Sequence, residues 1–410
     1  MAPNKLRRHI GPRSVLLAMA TTLGVAFAYL QLGAADKKDD AKEGVRCGDV
    51  HITGPYTCRN LTIYLLRGDG KALGGKKVVT LQEALEKKQA VIHETKNVNS
   101  LEIENVSDDV EVYVQSGDII KGGDQDRVFA CDLLLPPKSD KIKVETFCVE
   151  SGRWGQRGKE EHEKFTASMY QLPSRGLRLA GGQFGQIGLQ FGGVQQGIVR
   201  PGRANFGGAQ FGQLGQFGQL GGGGLQLGGH FGGMQFGGQS GVWDQVSRFQ
   251  SKLKGNLGRD VESEDSKSSL QLTLENKELE KAIDRYVDML QGIVKEHDDV
   301  IGYAFGINGQ MYGADVYADH QLFMQLWPKL LRANAIEAVA ETDSFKEGET
   351  LKIKAVERGL KEAAKKEPDE KEVTKRIVLF MRETKHVQFF EIQDRDRDDR
   401  WLHRSYVVKK

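Results

Sequence analysis

Apolar and polar residues alternate in short runs over much of the chain, the spacing of strands whose side chains point to opposite faces. The densest such stretch runs from Val110 to Trp154. Val110, Val112 and Val114 alternate with polar residues, Ser116-Gly117-Asp118 breaks the run, and Ile119-Ile120 leads into the polar loop Lys121 to Arg127. Two further strands are predicted at Val128 to Leu135 and Ile142 to Val149, joined by Pro136-Pro137-Lys138-Ser139-Asp140. β-Branched runs punctuated by Gly, Pro and Asp are the signature of paired strands. Before this stretch, residues 47 to 66 predict two strands, with Leu61, Ile63 and Leu65 alternating, and 90–93, 101–104 and 110–114 predict three more. Thr80-Leu81-Gln82-Glu83 is a capping box that opens a short helix through Lys88.

The period lengthens in the second half. Val242, Val246, Phe249 and Leu253 fall at helical spacing, as do Leu279, Ile283, Tyr286, Val287, Leu290, Ile293 and Val294. Residues 301–307 and 310–317 flank Asn308-Gly309, the pair suited to a type I′ hairpin turn. Leu322 to Leu331 predicts a helix that Pro328 either kinks or starts. Residues 352–375 read as charged and partly helical, and strands at 377–381, 387–392 and 401–408 close the chain. Strands at both ends that meet in one sheet system give an α+β fold, a single β-rich, sandwich-like domain with several helices.

Composition then divides the chain. Half of its 50 glycines lie in one block between about residues 176 and 241, where Phe184, Phe191, Phe206, Phe211, Phe217, Phe231 and Phe236 recur among Gly, Gln and Leu. Such a segment lacks the apolar surface to offset its chain entropy, so it reads as a disordered, low-complexity insert. It is either a tolerated loop expansion, the reading favoured by the small cost of lengthening a loop, or a self-association segment working through its Phe-Gly units. The formal net charge of +2 gives no electrostatic reason to bind nucleic acid. At the N-terminus, Lys5, Arg7, Arg8 and Arg13 precede an apolar run from Val15 to Leu32 and the small residues Gly33-Ala34-Ala35. This predicts a signal peptide over 1–35, a charged leader over 36–46 and one domain over 47–410, exported to the periplasm or the extracellular space. The alternative is an uncleaved membrane anchor. In an oxidising compartment the four cysteines predict two local disulfides, Cys47–Cys58 and Cys131–Cys148. The alternative is that Cys131 and Cys148 are small buried hydrophobes.

The chemistry-bearing patterns are few. The nine histidines make no metal-binding spacing, His162 sits in a charged run, and Asp394 to Arg400 lacks the central Gly of a calcium loop, so no metal is predicted. No motif indicates a cofactor. What remains is the polar loop and the strand end beyond it. Lys121, Asp124, Gln125 and Arg127 converge with Glu150, Arg153 and Trp154 if the hairpin curls back. Arg127 and Arg153 would then grip a carboxylate or phosphate, Glu150 would act as base or metal ligand, and Trp154 would stack on a ring. The structural alternative is an ion pair between Glu150 and Arg153 and a core position for Trp154.

Three separated blocks carry a resemblance. SGDIIKGGDQDRVFACDLLLPPKSDKIKVETFCVESGRW, VWDQV and IGYAFGINGQMYGADVYADHQLFMQLWPKLLRANAIEA are similar to motifs of a bacterial domain family named for its association with ADP-ribosylglycohydrolases and rhodanese-phosphatase proteins. The resemblance spans most of Cys47 to Lys410 outside the insert. Gly117, Gly122, Gln125, Arg127, Cys148, Glu150, Gly152, Arg153, Trp154, Asn308 and Gly309 stand at motif positions. The chain departs from the family at Gly117-Asp118, where two Glu are usual, and at Asp124 and Asp126, which replace Lys and Asn. The family name implies a setting of ADP-ribose and NAD metabolism and brings no reaction with it. Two functions follow as expectations: a module that binds a small ligand or a protein, or an enzyme on a nucleotide-like or phosphorylated molecule.

Overall fold

Strand-forming runs and helical runs assemble into three sheets in the computed structural model. It describes residues 44–409 except 72, 98, 154, 156–163, 182–237, 343–345 and 347. The predicted signal peptide, most of the leader, Trp154, the charged run around His162 and the Phe-Gly repeats lie outside the described residues. The first half runs β1 (Val45–Cys47), β2 (Val50–Cys58), β3 (Leu61–Arg67), β4 (Lys77–Thr80), α1 (Leu81–Glu86), β5 (Ala90–Glu94), β6 (Ser100–Asn105) and β7 (Val110–Val114). It continues with β8 (Asp118–Lys121), β9 (Arg127–Phe129), β10 (Leu133–Leu135), β11 (Ile142–Cys148), β12 (Thr166–Gln171) and α2 (Arg175–Gly181). The second half holds α3 (Gly238–Leu257), α4 (Leu270–Leu274), α5 (Lys277–Leu290), β13 (Val300–Ile307), β14 (Gln310–Tyr317), α6 (His320–Ala340) and α7 (Ile353–Glu362). It closes with β15 (Asp369–Glu372), β16 (Ile377–Glu383), β17 (Val387–Asp394) and β18 (Arg400–Val408).

A nine-stranded antiparallel sheet, ordered β1-β2-β3-β13-β14-β18-β17-β16-β15, joins the two ends of the chain. Helices cover both of its faces. Leu61, Ile63, Leu65, Tyr303 and Phe305 belong to the same core as Leu279, Ile283, Phe323 and Trp327, whereas Tyr64, Leu66, Ala304 and Ala314 pack with Val356 and Leu360. Leu61 to Leu66 are therefore all buried, because alternation chooses a face but both faces are dry. The Asn308-Gly309 turn has φ of 51° and 72°, the left-handed pair that an I′ hairpin requires. Thr80 caps α1 by accepting from the Glu83 N–H at 3.3 Å, and Pro328 sits inside α6.

The sandwich-like part is smaller. A three-stranded sheet, β10-β7-β4, faces a six-stranded one, β12-β8-β9-β11-β6-β5, over a separate core that includes Val79, Ile103, Val112, Val114, Phe129 and Leu135. The predicted strand 128–135 divides here. β9 pairs with β11, while β10, after Ala130-Cys131-Asp132, pairs with β7 in the opposite sheet. This division removes the predicted Cys131–Cys148 bridge: Cys148 lies opposite Arg127, and all four cysteines are free and buried. Cys47 and Cys58 are separated by the nine-residue β2, Cys47 opposite Val50 and Cys58 opposite Leu61, so that bridge is absent as well.

Helices also occupy the margins of the Gly/Phe-rich stretch. α2 ends at Gly181 and α3 begins at Gly238, so the stretch drawn at 176–241 contains ordered ends. The two helices pack together: a Cβ on Gly181 would lie 3.5 Å from Val242.

Candidate functional site

The loop between β8 and β9 turns on Gly122 and Gly123, with φ of 118° and 59°. A side chain at Gly122 would overlap the Lys164 carbonyl oxygen, and one at Gly123 would overlap the Glu94 carboxylate and the Phe165 ring. Both glycines are thus required for close approach as well as for backbone angle. Beyond β11 the chain turns at Gly152, φ 83°, and brings Glu150 and Arg153 to the same loop.

Most of the predicted polar residues do converge. Arg153 donates through Nε to Glu150 at 2.6 Å, and through its terminal nitrogens to the Gly155 carbonyl at 2.6 Å, the Gly123 carbonyl at 3.3 Å and Asp126 at 3.4 Å. Gln125 donates its side-chain amide to the Arg153 carbonyl. Arg127 reaches Glu94 at 3.2 Å and the Asn97 carbonyl at 3.1 Å, and Glu94 also accepts from the Asp124 N–H at 3.1 Å. Asp126 further accepts from Ser269, the N-cap of α4, at 3.4 Å. Lys121, next to Gly122, pairs with Glu275 at 2.5 Å instead of with these carboxylates.

This geometry differs from an open anion clamp in two respects. First, both guanidiniums are held by carboxylates: Arg127 is 2% and Arg153 11% exposed, over Glu150 and Asp126 at 0%. Second, the charges do not favour an anion. Among the described residues, Glu94 pairs with Arg127, Glu150 and Asp126 pair with Arg153, and Glu275 pairs with Lys121, so each of these cations already has a carboxylate partner. The partly exposed charged groups are Glu94 at 20% and the pair of Lys121 at 25% with Glu275 at 36%. No group of His, Cys, Asp and Glu side chains among the described residues is arranged to hold a metal ion.

A second polar cluster was not foreseen. His403 on β18 bonds through Nδ1 to Asp132 at 2.6 Å and has Nε2 3.4 Å from Asp315 on β14. Tyr113 donates to Asp132 at 2.9 Å, Tyr303 donates to Asp315 at 3.0 Å, and Arg178 from α2 reaches Asp315 at 2.9 Å and Ser405 at 2.9 Å. Tyr317 stacks on the imidazole at 4.4 Å. Burial opposes a charged imidazole, but Asp132 and Asp315 outweigh it and push His403 up to about 9. Burial likewise opposes ionisation of Asp315, yet Arg178 and His403 hold its carboxyl below the usual range. The result is a buried, charge-balanced brace between the two sheet systems. Its partners are too far apart in sequence to pair by spacing; the one signal is a lone Asp or His inside an otherwise apolar strand.

The remaining thiol at a motif position, Cys148, is inert. Burial pushes it up to about 11, and Gln239 of α3 holds its backbone through the N–H at 2.9 Å and the carbonyl at 2.7 Å.

Comparison with known proteins gives one match. A family model described as ARPP-1, ARG and Rhodanese-Phosphatase-superfamily-associated Protein domain, covers residues 49–183 and 230–407, both sheet systems and the loop cluster. No curated protein and no solved structure matches the chain.

Proposed function

For a chain that belongs to the ARG and Rhodanese-Phosphatase-superfamily-associated Protein domain family, we propose the role of an exported recognition module. Its polar site is the acidic rim over the Gly122–Arg127 loop and the Glu150–Arg153 turn, and its target is a basic group, such as an Arg or Lys side chain of a partner protein or a polyamine. The observation that carries this reading is the pairing of the cluster: Arg127 and Arg153 are buried and already held by carboxylates, while Glu94 and Glu275 keep part of their surface in solvent. Gln125, Arg127 and Arg153 position the loop, and Glu94 and Glu275 meet the ligand. Export is supported by the basic N-terminal residues followed by the apolar run to Leu32.

The catalytic alternative, with Glu150 as base and Arg127 and Arg153 gripping an anion, asks both guanidiniums to leave carboxylates to which they are bonded. It ranks second for that reason. Lys121→Ala separates the two by sign. The Lys121–Glu275 pair is partly exposed, so its loss changes stability by no more than about 1 kcal/mol. In calorimetric titration at low salt, the variant should bind spermidine or an Arg-rich peptide more tightly than wild type, because Glu275 is released. Weaker binding of these cations, or turnover of ADP-ribose lost in Glu150→Gln, favours the alternative.

A further inference from the structure

A cavity of about 310 Å³ opens where the edge strand β15 meets β10 and β11. Such a volume is at the lower end of small-molecule sites, and the seam between two packed units is a common place for one. Cys131, Leu133, Val144 and Val373 give it an apolar wall, and Lys143, Glu145, Lys371 and Glu372 ring it with charge. Val373 packs against both large cores, so the cavity lies on the seam between them.

The charges are not equivalent. Glu372 is engaged at 2.6 Å by Arg395, outside the cavity. Lys371 is 20% exposed and donates to Glu145 at 3.3 Å, while Glu145 is 58% exposed. The Lys371 stem is mostly covered, and its ammonium is met at a solvent-exposed contact by a carboxylate that returns to water at small cost. Lys143, two residues from Glu145 on the same face of β11, is exposed and makes no ion pair within 4.0 Å among the described residues.

We propose that this cavity binds a small organic acid with an apolar body, its carboxylate replacing Glu145 on Lys371 with Lys143 beside it. Glu145 holds the place of the ligand's head group. The body lies against Leu133, Val373 and the Cys131 thiol. Loss of a charge-assisted hydrogen bond should weaken binding, and removal of the internal competitor should strengthen it.

Hexanoate is a suitable probe, with hexylamine as its cationic control. Binding to the full chain is followed by ligand-observed NMR, and occupancy of the cavity by the rate of Cys131 alkylation, mapped by peptide mass spectrometry with Cys47 as the internal reference. Hexanoate should slow alkylation at Cys131 and leave Cys47 unchanged, and hexylamine should affect neither. Lys371→Ala should bind about tenfold more weakly. Glu145→Gln should bind about threefold more tightly, since it loses only an exposed pair. Melting temperatures of both variants within a few degrees of wild type would show that the fold is retained. Equal binding of hexylamine, no protection of Cys131, or weaker binding by Glu145→Gln would each overturn the assignment.

Discussion

Glu150 and Arg153 are the residues whose roles the structure changes most. The sequence placed them together correctly, because a strand end followed by Ser151-Gly152 turns the chain back within three residues. It could not show that Glu94, from a separate hairpin, and Asp126 would supply the opposing carboxylates. Removing one member of a buried pair leaves its partner short of a counter-charge, at a cost on the order of 3 kcal/mol. Glu150→Gln should therefore lower the melting temperature by several degrees in calorimetry; an unchanged temperature would mean that the pair contributes nothing. His403 makes a second prediction at this scale. Its folded-state value is raised above that of an unfolded histidine, so its stabilisation is complete below about pH 6.5 and is lost as pH rises through about 9. Glu337, pushed up to about 7 by burial against the opposing Arg175 N–H and charge, adds a loss of the same sign between about pH 4.5 and 7. Wild-type stability should fall across pH 6.5 to 9 by a few kcal/mol. His403→Gln should flatten that part of the curve, and a curve of unchanged slope would contradict the charged brace.

At the scale of elements, local rules were read well where one face or one turn decided the outcome. The Thr80 cap, the Asn308-Gly309 hairpin and the helical periods of α3 and α5 follow from neighbouring residues. The division of 128–135 between two sheets does not, because Leu133 to Leu135 are as apolar as Val128 and Phe129 and only tertiary pairing separates them. For the same reason the disulfide predicted from a simple hairpin fails. The ends of the Gly/Phe-rich stretch make a further test. α2 carries Arg178 to Asp315, and α3 carries Gln239 to Cys148, so both helices brace the clusters on either side of the stretch. Replacing residues 182–237 with a short Gly-Ser linker should leave the melting temperature within a few degrees, as loop-closure cost varies slowly with length. Deleting 176–241 removes both anchors and should prevent folding. If the two deletions behave alike in circular dichroism melts, the anchors are dispensable.

For the molecule as a whole, the α+β class was legible from the order of periods, since strands at both ends of a chain with central helices must meet in one sheet. The nine-stranded sheet with helices on both faces was less so: Leu61 to Leu66 of β3 and all of β13 are buried, and continuous apolar strands cannot show which side carries which helix. The pairing within the candidate site was likewise hidden, because its charged groups come from four segments brought together only by the fold. That pairing is the basis of the proposed role and decides between a basic and an anionic partner. The most direct test is the Lys121→Ala titration with spermidine, run beside inorganic phosphate at low salt. Tighter spermidine binding with no gain for phosphate is the predicted result; tighter phosphate binding by wild type that is lost in the variant would contradict it.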